Sequence, residues 1–437
     1  MKIPRWLSIT LILLLLIVTV VTLFYTITDW RGAKEWQAAK TELLDRGEPL
    51  SFDQLREEPI YRNLPPAPTL LAGLLENNQA TTLKEALPPA SDFPSPENDP
   101  SAAEWTAALD QLNPALQRVA PYLEATDGPM AWPYDLSDPV NTALPQITLL
   151  NRIAQLLQIR AEAGLALKRP TLAKESLETL MRLRQWTAYP LTLIEALVGF
   201  SLDRQILDII RNGLIDGTWS ADDLAEFEKM VGQLAPIQLL ERGLRGERVF
   251  FLTVTEDLSK EELASLLAVA VGGSMSESQF SRAVSAIALY PKGWLDADRA
   301  DYAVEFQVVL DRLRLITQGE VGMESATPLA TRGNDRHPLT QLVRATIDSV
   351  INRGVTLEAL RRQTLIALAL EQHRLESGSY PSSLSSLDLP PTAPLDPARG
   401  ETIEYVADED GYRLSVPKSE FYREQDLEQL QWDRKLE

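Results

Sequence analysis

Residues 7–28 read LSITLILLLLIVTVVTLFYTIT, twenty-two consecutive positions without a charge. No other feature constrains the chain so tightly. A helix rises about 1.5 Å per residue, so a run of this length matches a hydrocarbon core roughly 30 Å thick. Leu7, Leu14, Val21 and Thr28 mark its course from one end to the other. Trp6, Tyr25 and Trp30 fall near its two ends, where interfacial aromatic residues belong. A cleaved signal peptide has a shorter apolar core and a small-x-small cleavage site. This run ends in Phe24-Tyr25-Thr26-Ile27-Thr28, and the chain has no cysteine for a lipoprotein anchor. The expectation is an uncleaved signal-anchor whose partner is the lipid bilayer.

Orientation is less strongly written. Lys2 and Arg5 precede the run, and Arg31, Lys34 and Lys40 follow it. Long domains translocate largely regardless of such a balance. The expected topology is therefore a single-pass protein of the bacterial cytoplasmic (inner) membrane, with its N-terminus in the cytosol and its large domain on the extracytoplasmic side. Leu263–Gly273 is apolar but too short for a second span.

The rest of the chain has the composition of a folded body. Hydrophobic residues make up 45% of the sequence, enough for a real core. The net charge of −20 repels nucleic acid and anionic surfaces, so no nucleic-acid partner is expected. The absence of cysteine excludes disulfides, thiol catalysis and cysteine-based zinc sites. No cofactor is expected, and no metal.

The pattern predicts a mainly α protein: one N-terminal transmembrane helix, an irregular body of α-helical hairpins, and a small C-terminal α+β module with an antiparallel hairpin. Residues 1–28 are the anchor. Residues 29–100 form a juxtamembrane helix, with Trp36, Ala39 and Leu43 on one face, followed by a stretch rich in proline that acts as a spacer or lies as an extended arm against the body. Residues 101–354 form the helical domain. Ser101 with Glu104 and Ser259 with Glu262 are capping boxes, and Ser220 with Asp223 resembles one. Helices are expected at about 143–168, 171–187, 190–215, 221–233, 236–255, 260–272, 277–289, 296–318, 339–352 and 356–376, with Pro114 kinking or splitting the helix that starts after Ser101. Residues 355–417 carry a helix and two strands, Thr402 to Val406 and Tyr412 to Val416, around the turn Asp408-Glu409-Asp410-Gly411. The polar tail 418–437 reads as a terminal helix that offers Leu427, Leu430 and Trp432 for docking.

Two resemblances rest on particular residues. Ala161–Trp186 resembles a tetratricopeptide-type helix pair, with Gly164 in the first helix and Ser176 at the close-packed position of the second. No period repeats along the chain, so a regular solenoid is not supported. The series Gly378, Tyr380, Pro381, Asp396, Pro397, Tyr405, Gly411 and Tyr412 resembles the C-terminal region of type II secretion pseudopilins, where a long helix leads through Gly-x-Tyr-Pro and Asp-Pro into a small antiparallel sheet. That resemblance spans about 60 residues and implies a local fold. In pseudopilins the membrane helix opens that same long helix; here some 330 residues separate them. Trp36, Lys40, Glu42, Leu43, Gly47 and Glu48, with the helical middle and the C-terminal module, resemble uncharacterised membrane-anchored proteins of planctomycete and verrucomicrobial type. That resemblance implies no activity.

Candidate chemistry is sparse. His373 lies near Glu371 and Glu376, without the spacing of a metal motif. His337 precedes Pro338 in a polar loop. Ser415 and Lys418 match Ser-x-x-Lys, but the serine falls in a strand. Glu241, Arg242, Arg245, Glu247 and Arg248 form either a solvated, salt-bridged helix face or a buried polar network. The functional expectation is an envelope protein that presents a helical domain for protein contacts or scaffolding. The alternatives are an envelope hydrolase with carboxylates in a helical pocket and a secretion or pilus-like assembly component.

Overall fold

The computed structural model describes residues 5–76, 78–139, 142, 144–256, 290–325, 338–408, 411–423, 427–428 and 430–435. The expected helices 260–272 and 277–289, the capping box at Ser259, His337 and the turn residues Glu409 and Asp410 lie outside them. The described residues are mainly helical, with one small antiparallel sheet near the C-terminus. They divide into two compact units. The first comprises Met1–Gln54, Arg248–Val308 and Leu329–Asp348; the second comprises Leu55–Glu247, Val309–Pro328 and Ser349–Glu437.

The first unit begins with α1, Arg5–Asp45. The expected anchor and juxtamembrane segments are one uninterrupted helix. Its C-terminal half buries Gly32, Ala39 and Leu43, with Trp36 half-buried on the same face. The helix ends in a Schellman motif. Glu48 N–H donates to Leu43 O at 2.9 Å and Gly47 N–H to Leu44 O at 2.9 Å, while Gly47 takes φ +73°, which glycine adopts without steric cost. Beside α1 lies α12, Lys292–Gln318, which starts at Gly293 against Gly32 and places Gln307 within reach of Glu48. Phe251, Tyr302 and Phe306 stack in series at 3.8 and 4.2 Å between centroids.

The second unit is built on α6 (Ala102–Leu123), α7 (Pro145–Ala166), α8 (Pro170–Trp186), α9 (Leu193–Ile215), α10 (Ala221–Gln233) and the first part of α11 (Pro236–Glu256). The capping boxes at Ser101 and Ser220 both form. Pro114 lies inside α6 without splitting it. In the α7–α8 hairpin, Gly164 faces the backbone of residues 169–173 at about 3 Å and Ser176 is fully buried. The proline-rich stretch folds into α2 (Phe52–Glu57), α3 (Pro59–Arg62), α4 (Thr69–Ala72) and α5 (Gln79–Glu85), with α5 against α7. From Leu55 onward it lies against the body. It buries Leu55, Tyr61, Leu71 and Leu74, pairs Ala67 N–H with Ala131 O at 3.0 Å, and sends the Tyr61 hydroxyl to Pro190 O at 3.1 Å.

The two helices expected at 339–352 and 356–376 are one, α13, Pro338–Ser377. Gly354 lies inside it, where a Cβ would meet Leu240 at 2.8 Å and Phe200 at 3.2 Å. The glycine serves a close crossing. After α13 come β1 (Glu404–Asp408), β2 (Gly411–Ser415) and β3 (Gln431–Lys435), antiparallel in that order. Glu404 pairs with Ser415, and Ser415 with Gln431. The expected terminal helix is therefore a strand at its end. Trp432 and Arg434 alternate with exposed neighbours, a period of two that only a sheet edge can use.

Candidate functional site

Two features were marked by the sequence, the apolar helix and the C-terminal module. In α1, Leu14 is 57% exposed and Val21 48%, Thr28 is half-buried, and Leu7 lies in the first turns. One helix near the N-terminus is thus long and apolar enough to cross a membrane, with none of its apolar window buried. Three of its hydroxyls are closed within the helix. Thr10, Thr19 and Thr26 donate their hydroxyls to Trp6, Leu15 and Thr22 carbonyls at 2.8–2.9 Å. A hydroxyl satisfied by its own helix imposes little cost in hydrocarbon.

The module gathers Tyr380, Pro381, Tyr405 and Tyr412 into one cluster and Asp396 and Pro397 into another. Gly378 leaves α13 at φ +81°. Tyr380 then turns back, donates its hydroxyl to Glu371 Oε1 at 2.8 Å, and sets its ring edge on Tyr412 at 4.9 Å. Burial pushes the Tyr412 phenol well above its ordinary range. Pro381 is buried, and its carbonyl accepts the Tyr405 hydroxyl at 2.7 Å. Gly411 is required where it stands, because a Cβ would overlap Arg434 O on the neighbouring strand. Asp396 is fully buried, accepts from Tyr422 and from Arg399 N–H, and its own N–H donates to Glu401 O at 2.6 Å. Burial raises its carboxyl, while the Tyr422 hydroxyl and the Arg399 amide work the other way. Pro397 O accepts Met323 N–H at 3.0 Å. Sequence reasoning missed Tyr422 and Arg434 and read Glu371 only as a neighbour of His373. Glu371 collects Tyr380, Arg374 and Arg434, so the carboxylate nearest His373 in sequence is already engaged. Among the described residues, no group of three His, Asp or Glu side chains has metal-binding geometry.

Four of the five residues of the dense charge run, Glu241, Arg242, Arg245 and Arg248, resolve into internal ties. In the second unit, Glu241 pairs with Arg314 at 2.7 Å, Arg242 donates to Ala188 O at 2.7 Å and lies over the Tyr189 ring, and Arg245 grips Glu58 with both terminal nitrogens. In the first unit, the fully buried Arg248 donates to Gln307 Oε1 and to Glu48 Oε2, each at 2.7 Å. Gly47-Glu48 was legible as a juxtamembrane motif; its partner was not.

Further carboxylates are buried in the second unit. Glu195 closes a third capping box with Thr192 and accepts the Tyr134 hydroxyl at 2.5 Å. Burial raises its carboxyl, against the hydrogen bonds from Tyr134 and from the Leu191 and Thr192 amides. The pattern Thr192-Leu-Ile-Glu195 was the available signal. Asp203 pairs with Arg184, and Glu358 with Arg361 and Arg362. Burial alone would raise Glu358; the two guanidiniums overcome it and hold the carboxyl below its usual range. A shallow cleft of about 400 Å³ is bordered by Leu75, Tyr134, Asp135 and Asp138. Its Asp135 accepts Ser137 N–H at 3.0 Å, an ordinary turn contact that lowers the carboxyl. Ser415 is on β2 and donates to Glu404 at 3.2 Å, away from any helix N-terminus. Comparison with family models, with curated proteins and with solved structures finds no match to this chain.

Proposed function

We propose that this is a single-pass protein of the bacterial cell envelope, held in the cytoplasmic membrane by α1 as an uncleaved signal-anchor. Its N-terminus lies in the cytosol, and its helical body lies outside, where it makes protein contacts as a scaffold. The observation that carries the proposal is α1 itself: an uncharged run, exposed along its length, with the hydroxyls of Thr10, Thr19 and Thr26 satisfied internally. Apolar surface on that scale needs lipid to cover it. The engaged state of the buried carboxylates supports a presenting rather than a reacting body. Glu195, Asp203, Glu358, Glu371 and Asp396 each hold a tyrosine or an arginine.

A pilus-like or secretion role for the tip is the second reading, favoured by the contacts that Tyr380, Pro381, Tyr405 and Tyr412 make with one another. Val406 on β1 is 61% exposed, a large apolar side chain on the sheet. A photo-crosslinking residue at Val406 in membranes should give a discrete adduct with another protein. Adducts absent at Val406, Ile194 and Ile215, all exposed, would end the contact reading. Alkaline carbonate should leave the full chain in the membrane, and protease added outside spheroplasts should digest the body.

A further inference from the structure

The turn that opens α12 lies unusually close to the end of the apolar run. Gly293 N–H donates to Asp29 Oδ1 at 2.7 Å. That carboxylate caps the start of α12 from a different helix, the favourable sign for the positive end of a helix dipole. The backbones touch: a Cβ on Gly32 would lie 1.8 Å from Gly293 O, and a Cβ on Gly293 would lie 2.0 Å from Thr28 O. The Trp294 ring meets Phe24 edge-on at 6.1 Å and Tyr290 at 5.2 Å. Phe24 lies inside the uncharged run, four residues before its end, or about 6 Å back along the helix axis. A ring in contact with Phe24 shares its depth.

The surrounding residues fit the same depth. Trp30 is 65% exposed, with the Lys34 ammonium 5.5 Å over its ring. Lys292 and Arg31 are exposed at the same level. Aromatic rings with lysine and arginine beside them are the residues that settle where acyl chains give way to headgroups. From Gly293 beside Gly32 to Gln307 beside Glu48, α12 then runs in the same direction as α1, away from the apolar run.

We infer that the Tyr290–Trp294 turn is a second membrane contact, seated in the phospholipid headgroup layer beside the anchor, so that the first unit stands on the bilayer surface with α12 rising from it. This rests on the reading of α1 as a membrane span. The absence of cysteine makes the test direct, because any introduced thiol is the only one. The full chain is reconstituted in phosphatidylcholine–phosphatidylglycerol vesicles with a bimane on Lys292→Cys, on Val18→Cys or on Val308→Cys. Val308 is exposed and lies about 22 Å further along α12 than Gly293. Nitroxide-labelled headgroups should quench the Lys292→Cys probe severalfold and leave the Val308→Cys probe bright. Nitroxides at mid-chain should quench Val18→Cys most. Quenching at Val18→Cys with none at Lys292→Cys overturns the second contact and leaves the anchor standing. Equal quenching at Lys292→Cys and Val308→Cys also overturns it, as unspecific adsorption. A Val18→Cys probe dark to no lipid nitroxide removes the anchor and this inference together.

Discussion

The two longest helices among the described residues invert each other. Over α1, with 41 residues, large apolar side chains from Ile9 to Ile27 are roughly half exposed. Over α13, with 40 residues, charged and polar side chains are buried: Glu358, Arg362, Gln363, Thr364 and Glu371 are all under 9% exposed. Each would be a fault in the other's surroundings. An apolar helix left bare needs a solvent other than water. A polar helix taken out of water needs a partner for every group. Several groups on α13 have one: Glu358 holds two arginines, Arg362 donates to Leu395 O at 2.8 Å, and the Gln363 amide donates to Leu430 O at 2.7 Å. Length is therefore no guide to role; the chemistry of the uncovered and the covered face is.

The contrast breaks most visibly if α1 is removed. A chain lacking residues 1–28 should move from the membrane pellet to the supernatant while keeping helical circular dichroism. Aggregation, or a loss of helical signal, would mean that the run is part of the soluble core. On α13 the large effect is on stability. Glu358→Ala leaves the Arg361 and Arg362 guanidiniums without their carboxylate, which costs about 3–5 kcal/mol in urea unfolding. Leu14→Ala, on the bare helix, should leave the same unfolding curve in place.

pH separates the charged from the merely buried. Burial pushes the Glu247 carboxyl up to about 7 from an ordinary 4.5. A raised acid favours folding while protonated, so its contribution is present below pH 4.5 and is lost as pH rises towards 7. Glu247→Gln should therefore gain on the order of 2 kcal/mol at pH 8 and nothing at pH 4. Glu358 has the opposite sign: its carboxyl is held low, so its stabilisation is present above 4.5 and fades in acid. Denaturant melts across pH read both slopes. The smallest effect belongs to a helix end. Ser101→Ala removes the capping hydroxyl of α6 and should cost about 1 kcal/mol, while Ser101→Gly costs only a few tenths.

Much of the helical body was legible because its signals are local. Ser220 and Asp223 announced α10, which spans the expected residues 221–233. Ser101 and Glu104 announced α6 in the same way. Gly378, Tyr380 and Pro381 marked the exit from α13, and the β1–β2 pairing followed from alternation. The misreadings share one cause. Two helices were expected at 339–352 and 356–376, yet α13 runs through Gly354, which sits where a Cβ would press on Leu240 and Phe200. The tail was given a helix because its polar residues hide a period of two that only β2 reveals. The run from Glu241 to Arg248 left two forms open, and side chains distant in sequence chose between them: Glu58, Arg314, Glu48 and Gln307.

By itself the sequence determined the apolar run, the caps, the helical periodicity and the turn residues, since these depend on neighbours within a few positions. Only the tertiary structure decided which charges are buried, that the proline-rich stretch lies against the helices, that a third strand completes the sheet, and that α12 begins against the foot of α1. Those outcomes depend on groups brought together from separate elements of the chain, and no local pattern encodes the meeting.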